Sequence, residues 1–377
     1  MKECHLCKRV FADDLNNCPD DGDKLLVSLR CTPLLEGRYQ LERRLGDGGM
    51  GIVYKAHHSY LKTVHAIKVI LPDLVGHDPM FGTRFRQEAM IAAAIRHQNI
   101  VLVTDFGVAQ DILPFLVMEF IQGRSLQDIF NKKGTIAPEI ALQLISAIAA
   151  GVGAAHRQGF IHRDLKPLNI MLADDRPIAE AVKILDFGLA KMKTGEMLGS
   201  FVQAQTSGLM GSPLYMAPEQ WSEEELDNRA DIYSLGIILY QMLAGDVPFK
   251  GSSMPTIMQG HLMKEPPPFS QLGVRIPETV ENVVRRALEK HPRDRFATVE
   301  DFVSALRDAI VSTELSRRVE NTLTQTDTLT LRTPSQNATQ IETTATPASS
   351  WIAPSQQTLT QTRTPIQEDA DRLAQEY

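Results

Sequence analysis

The stretch His162-Arg163-Asp164-Leu165-Lys166-Pro167-Leu168-Asn169, followed after 16 intervening residues by Asp186-Phe187-Gly188, limits what this chain can fold into more than any other part of it. It places a carboxylate, an ammonium group and two further oxygen donors on two neighbouring loops, and these groups act together only if the fold brings both loops to one point. Transfer of a phosphoryl group from a metal-bound nucleotide to an alcohol needs such a set. The hydroxyl must be held in line, its proton needs an acceptor, and a divalent cation must neutralise charge on the triphosphate. Asp164 has the chemistry of the acceptor, and Lys166 can reach a transferring phosphoryl group. Asn169 and Asp186 offer the hard oxygen ligands that Mg2+ or Mn2+ prefers.

The preceding sequence fits the same chemistry. Leu45-Gly46-Asp47-Gly48-Gly49-Met50-Gly51-Ile52-Val53-Tyr54 puts glycines where a strand-turn-strand flap brings backbone amides close to phosphate oxygens. The β-branched run Val64 to Ile70 carries Lys68, 17 residues beyond Gly51. An amphipathic stretch from Arg84 to Ile95 carries Glu88, whose carboxylate would clamp the Lys68 ammonium and aim it at the α- and β-phosphates. Each residue alone is an ordinary turn former or solvated charge. Glycine flap, Lys68, Glu88, the Asp164 loop, Asp186-Phe187-Gly188 and Ala217-Pro218-Glu219 occur in that order, and the set resembles the bacterial eukaryotic-like (Hanks-type) serine/threonine protein kinases.

The resemblance covers about residues 39–311 and implies an α+β, two-lobed fold, with a β-rich N-lobe over about 39–118, a helical C-lobe over about 123–311 and ATP in the cleft between them. It also implies roles. Leu45, Val53, Ala66 and Met171 would sandwich the purine, Met118 would stand as gatekeeper, and the Glu119 carbonyl and Ile121 amide would face adenine. Asp231 resembles the buried aspartate that braces the catalytic loop, and Glu219 with Arg295 the buried ion pair behind the activation segment. Lys166-Pro167 and Gly211-Ser212-Pro213 imply Ser/Thr rather than Tyr acceptors on protein substrates; the family more often has Thr at 212, but Ser keeps the hydroxyl. The longer spacing between Asn169 and Asp186 points to an extended hairpin turn around Asp174 to Ala181, where insertion costs little. Arg163, directly before the base, implies a basic pocket for a phosphate on the activation segment, and Thr206 is the autophosphorylation site that best matches bacterial members. Relatives form homodimers, which the resemblance admits here. A pseudokinase scaffold is the rival reading, but such proteins often lack Lys68, Asp164 or Asp186.

The chain has 377 residues, 43% of them hydrophobic, and a net charge of −7, which argues against bulk binding to nucleic acid. No 18-residue apolar run marks a membrane span, and the most apolar stretch, Ile140 to Ala155, contains Gln143 and Ser146 and lies where the resemblance implies a buried helix. The start, Met1-Lys2-Glu3-Cys4, does not resemble a signal peptide, and a cytoplasmic protein is expected.

All four cysteines fall in the first 31 residues. Cys4-His5-Leu6-Cys7 and Cys18-Pro19-Asp20-Asp21 resemble half of a zinc ribbon in which Asp21 replaces the last cysteine, with His5 or Cys31 as alternative fourth ligands. This ligand set defines a segment over 1–31, open also to an adaptor role through protein contact. Residues 312–377 contain 15 Thr and 6 Ser with only Trp351 and Tyr377 as aromatics, so disorder is expected there. The Thr-Pro pairs at Thr333, Thr346 and Thr364 suit either a spacer or a phosphoacceptor tail that recruits phosphothreonine-binding domains.

Overall fold

A computed structural model describes residues 1–48, 51–71, 81–110, 113–132, 134–187, 212–222 and 226–327. Six antiparallel strands form the main sheet: β4 (Leu34–Leu35), β5 (Tyr39–Gly48), β6 (Gly51–His58), β7 (Val64–Ile70), β8 (Val103–Ala109) and β9 (Leu113–Glu119), in the order β4-β5-β6-β7-β9-β8. Strand alternation decides which neighbour each side chain meets. Ala66, Ile70, Leu116 and Met118 face Phe85, Ala89 and Ala92 of helix α1 (Phe81–Ala94). Ile67, Val69, Phe115 and Val117 lie on the other side, with Met1, Val10, Leu29, Cys31 and Leu35 from the N-terminal segment. Covered on both faces, β7 and β9 read as nearly continuous apolar runs.

The N-terminal segment therefore shares a core with the large sheet. Its own sheet is β1 (Lys2–Cys4), β2 (Val10–Phe11) and β3 (Leu25–Val27), in the order β2-β1-β3. The Met1 ammonium is buried and donates to the carbonyls of Leu29 and Cys31 at 2.8 and 2.6 Å. Cys31 is thus part of the sheet core, away from the other three cysteines.

The helical half begins with α2 (Leu126–Lys132) and is built around α3 (Pro138–His156) and α5 (Arg229–Ala244), whose apolar residues form one continuous core. Helix α3 is long and apolar enough to cross a membrane by composition, yet most of it is buried by α5, by α8 (Val299–Asp327) and by the strand pair beneath the cleft. Helix α7 (Glu278–Ala287) buries Val280, Val283, Val284 and Ala287, the i, i+3, i+4, i+7 stripe of an amphipathic helix. Short strands β10 (Gly123–Ser125), β11 (Ile170–Ala173) and β12 (Val182–Ile184) floor the cleft.

Two sequence expectations change in detail. The long β11–β12 turn contains one helical turn, α4 (Ile178–Ala181), and buried Asn99 donates from Nδ2 to Ala179 O and Val182 O at 2.8 and 3.0 Å, pinning it. The segment expected to lose structure after Val311 continues as helix α8 to Asp327. Leu315, Val319 and Leu323 keep a four-residue spacing there, which composition alone hides. Residues 328–377, with their Thr-Pro pairs, lie outside the described residues.

One buried polar group predicts an acid limb. His261, on α6 (Met254–Met263), is fully buried, bonds Tyr233 Oη through Nδ1 at 3.0 Å, and has no partner for Nε2 among the described residues. Burial, with the Lys290 charge as a lesser cause, lowers its pKa to about 3. The unfolded chain then binds more protons than the folded one below about pH 6.5, so stability falls as pH drops from there towards 3, by up to about 1.4 kcal/mol per pH unit. Urea unfolding at pH 7 and pH 5 should show a smaller loss for His261→Gln than for the unaltered chain; equal losses would refute the assignment.

Candidate active site

The loop 162–169 is rigid because its backbone is hydrogen-bonded from beneath. Asp231, at the start of α5 and fully buried, accepts the amides of His162 at 2.8 Å and Arg163 at 2.9 Å, and His156 Nε2 lies 2.7 Å from it. Burial alone would raise the Asp231 carboxyl, but the hydrogen bond and charge of His156, with the His162 contacts, more than offset it and hold the pKa below the usual range. Arg163 has φ +67°, a left-handed conformation that costs a non-glycine residue on the order of 1 kcal/mol or more. The Asp231 bonds over-determine it.

Above this base the reactive groups converge. Lys166 Nζ donates to Asp164 Oδ2 at 2.9 Å, and Asn169 Nδ2 donates to the Asp164 carbonyl at 2.8 Å. The Asn169 carbonyl accepts the Leu185 amide at 2.8 Å, which ties the first loop to the residue before Asp186. Asp186 also has a left-handed φ, +58°. Its neighbour Phe187 is buried against the His162 ring, centroids 4.5 Å apart.

Lys68 reaches the same point from the other lobe. It sits on β7 on the α1 side of the sheet, almost fully buried, and donates to Asp186 Oδ2 at 2.7 Å. Burial would raise the Asp186 carboxyl, but the Lys68 charge and hydrogen bond outweigh it and the pKa is lowered. Glu88 is on α1, but its side chain lies outside the described residues, so the expected Lys68–Glu88 contact does too.

The glycine run forms the end of the β5–β6 hairpin. A Cβ on Gly51 would meet Val69 O at 2.1 Å, so only glycine allows β6 to lie this close to β7. The β5–β6 register slips between Arg44 and Gly46, a bulge at the root of the flap. Gly46, Asp47 and Gly48 end β5; Gly49 and Met50 lie outside the described residues, as do Gly188 and Thr206, and the Ser212 side chain. Val53 pairs with Lys68, and Ala66 with Met118, so the residues expected as roof and gatekeeper are adjacent. Met171 pairs with Ser125 on the floor. Glu119 is held by Lys183 Nζ at 2.7 Å and by the Leu102 amide at 2.8 Å, and Ile121 follows in the connection between the lobes. Leu45 is partly exposed near the end of β5.

The family profile of the protein kinase domain matches residues 39–305. The chain belongs to the protein kinase family. Among curated proteins it is similar to the serine/threonine-protein kinase PknB of Mycobacterium leprae, 38% identical over 273 residues, which are 72% of this chain and 42% of that protein. It is also similar to the serine/threonine-protein kinase Pkn1 of Myxococcus xanthus, 38% identical over 285 residues, covering 76% of this chain and 39% of that one. The chain therefore spans under half the length of these relatives. Among solved structures, the PknI kinase domain of Mycobacterium tuberculosis superposes with a TM-score of 0.57 at 26% identity, covering 75% of this chain and 100% of that one. The two-lobed α+β fold is that of this family.

Within the kinase domain, one positioning residue has no motif. Gln220, next to Glu219, accepts the Ala217 amide through Oε1 at 2.9 Å and donates from Nε2 to the Arg163 carbonyl at 2.7 Å, joining the end of the activation segment to the catalytic loop. Sequence reasoning missed it because a glutamine beside a recognised triplet carries no signal of its own. Glu219 and Arg295 form a buried, two-pronged ion pair at 2.7 and 2.8 Å, as expected.

Outside the matched residues, the ligand atoms of Cys4, Cys7, Cys18 and Asp21 all lie within 4.8 Å of one another. The geometry selects Asp21 over the alternatives, since His5 is absent from the cluster and Cys31 is in the sheet core.

Proposed function

We propose that this protein is an ATP-dependent protein kinase that transfers the γ-phosphoryl group to Ser or Thr hydroxyls of proteins in bacterial signalling. The observation that carries the reading is the convergence of Lys68, Asp164, Lys166, Asn169 and Asp186 from three elements onto one cleft, with Lys68 bonded to Asp186 and Lys166 to Asp164. Lys68 anchors the α- and β-phosphates, and the amides of Gly46, Asp47 and Gly48 cover them. Asn169 and Asp186 suit a magnesium or manganese ion: both present oxygen donors, and the lowered Asp186 pKa keeps it anionic. When bound, that ion neutralises charge on the phosphate oxygens.

Asp164 accepts the hydroxyl proton as the acceptor oxygen bonds to the γ-phosphorus and the bond to the β,γ-bridging oxygen breaks, with ADP leaving. Lys166 balances charge on the transferring oxygens. Leu45, Val53, Ala66 and Met171 enclose the purine, and the Met118–Ile121 connection offers the backbone polar groups that read it. Thr206, outside the described residues, is the proposed activating autophosphorylation site, with Arg163 in the basic pocket for its phosphate and Ser212 as a regulatory hydroxyl able to bond Asp164 and Lys166. Its tail threonines would recruit phosphothreonine-binding domains. A structural zinc ion in the N-terminal segment completes the cofactor set. Four cysteines without a disulfide among the described residues suit a reducing cytoplasm, which also supplies ATP and magnesium.

The test is phosphate incorporation from γ-labelled ATP with Mg2+, followed by phosphoamino-acid analysis. Label on Ser and Thr is expected; label on Tyr alone, or none while nucleotide still binds, would overturn the reading, the second result favouring a scaffold.

A further inference from the structure

The N-terminal segment contains two matching turns. In each, the amide four residues after the first ligand donates to that ligand's carbonyl, Lys8 to Cys4 at 3.1 Å and Gly22 to Cys18 at 2.9 Å. In each, that fourth residue is left-handed, Lys8 at φ +60° and Gly22 at φ +77°. The two turns bring Cys7 Sγ within 3.6 Å of Cys18 Sγ, and Cys4 Sγ within 3.2 Å of Asp21 Oδ2. A tetrahedral zinc with Zn–S of about 2.3 Å needs sulfur–sulfur edges of about 3.8 Å. Three sulfurs and one carboxylate at these separations fit one zinc ion. The local apolar cluster is only Cys4, Cys18 and Leu25, with Cys7 and Phe11 packed against it, too little to fix both turns by burial.

The first turn is joined directly to the phosphate flap. The Lys8 carbonyl, one residue past Cys7, accepts the Arg44 amide of β5 at 2.9 Å, and Arg9 bridges Arg43 alongside. The Arg44 guanidinium lies 3.6 Å from Glu3, next to Cys4 on β1, and pairs with Asp47 inside the glycine run. The register slip of the flap falls immediately after Arg44. One residue thus holds a metal-ligand turn on one side and the glycine loop on the other.

We propose that Cys4, Cys7, Cys18 and Asp21 bind a zinc ion that governs nucleotide affinity, because the ion fixes the Lys8 turn and, through Arg44, the β5 end of the glycine flap. This rests on the reading of the cleft as a nucleotide site. With zinc lost, the Lys8 carbonyl and Glu3 lose their fixed positions, Arg44 is released, and the flap amides no longer stand in register for phosphate. Nucleotide binding then weakens while Lys68 and Asp186 remain in place.

The test uses the full chain under reducing conditions. Metal content is measured, and the protein is stripped with EDTA, dialysed and supplied again with Mg2+. Direct binding of an unreactive ATP analogue is compared with amide exchange at Gly46 to Gly51, before and after zinc is restored. The expected result is one zinc per chain, affinity lower by about five-fold or more on stripping, faster exchange in the flap, and recovery of both with zinc. Arg44→Gln should keep its zinc yet bind the analogue more weakly. Absence of stoichiometric zinc with all thiols reduced overturns the metal site. Bound zinc whose removal changes neither affinity nor exchange overturns the coupling, and a zinc-loaded Arg44→Gln chain with unaltered affinity overturns the route through the Arg44 guanidinium. Failure of the analogue to bind even the zinc-loaded chain would instead overturn the nucleotide site, a separate result.

Discussion

Asp164→Asn is expected to slow phosphoryl transfer by about 10³-fold, within the range measured for removal of a general base, while nucleotide binds as before. The amide matches the carboxylate in shape and still presents an oxygen to Lys166 Nζ, now 2.9 Å from Asp164 Oδ2. It cannot take a proton. The other contacts of the loop use backbone atoms that the substitution leaves alone: the Asp164 carbonyl accepts Asn169 Nδ2, and Asp231 holds His162 and Arg163. Lys68 and Asp186, which would carry the phosphates and the metal, form their own pair. The loss should therefore fall on the chemical step. Single-turnover transfer with saturating ATP, set beside the dissociation constant of an ATP analogue, separates the two. A rate within ten-fold of the unaltered chain would remove Asp164 from the base role; a matching fall in affinity would make it a binding residue.

How far the sequence reveals the fold depends on the range of the forces involved. The run Val64 to Ile70 becomes β7 residue for residue, and Arg84 to Ile95 largely coincides with α1, because alternation and helical periodicity are local patterns that local packing satisfies. The loop 162–169 and Asp186 are legible for another reason: their residue types suit phosphoryl transfer, and their order resembles that of the family whose profile matches residues 39–305. Docking of the N-terminal segment on the sheet is not legible. Met1, Leu29 and Cys31 read as scattered apolar residues in a short tail, and nothing local says that they cover Tyr54, Ile67 and Val117. The buried amino terminus shows the same limit, since its partners are carbonyls 28 and 30 residues away and the Asp13 carboxylate. Three cysteines and an aspartate could be read as a metal set, but the choice of Asp21 over Cys31 needed the sheet that removes Cys31. The helical continuation to Asp327 was hidden because fifteen threonines mask a four-residue spacing of Leu315, Val319 and Leu323.

Glu219→Ala is expected to cost about 3–5 kcal/mol of stability, the usual penalty for leaving a buried charge without its partner. Arg295 is 2% exposed, and all five of its N–H groups are used. Two go to the Glu219 carboxylate, and the other three to the carbonyls of Glu289, Arg229 and Lys290. Its guanidinium also lies 4.8 Å from the Tyr233 ring centroid. Removing the carboxylate strands a cation and two donors where water cannot reach them. Arg295→Ala should be comparably damaging, since it leaves the buried Glu219 carboxyl without its partner. The double variant carries neither stranded charge, so its loss should be well below the sum of the single losses. Urea unfolding of the three variants measures this directly, and additive losses would mean that the pair contributes packing alone. Activity gives a second readout. The 3₁₀ turn Pro218–Gln220 that Glu219 anchors also carries Gln220, whose amide holds the Arg163 carbonyl beside Asp164, the proposed base. A chain that stays folded without Glu219 should therefore lose phosphoryl transfer more than nucleotide affinity, because the ion pair reaches the reaction through the position of Asp164.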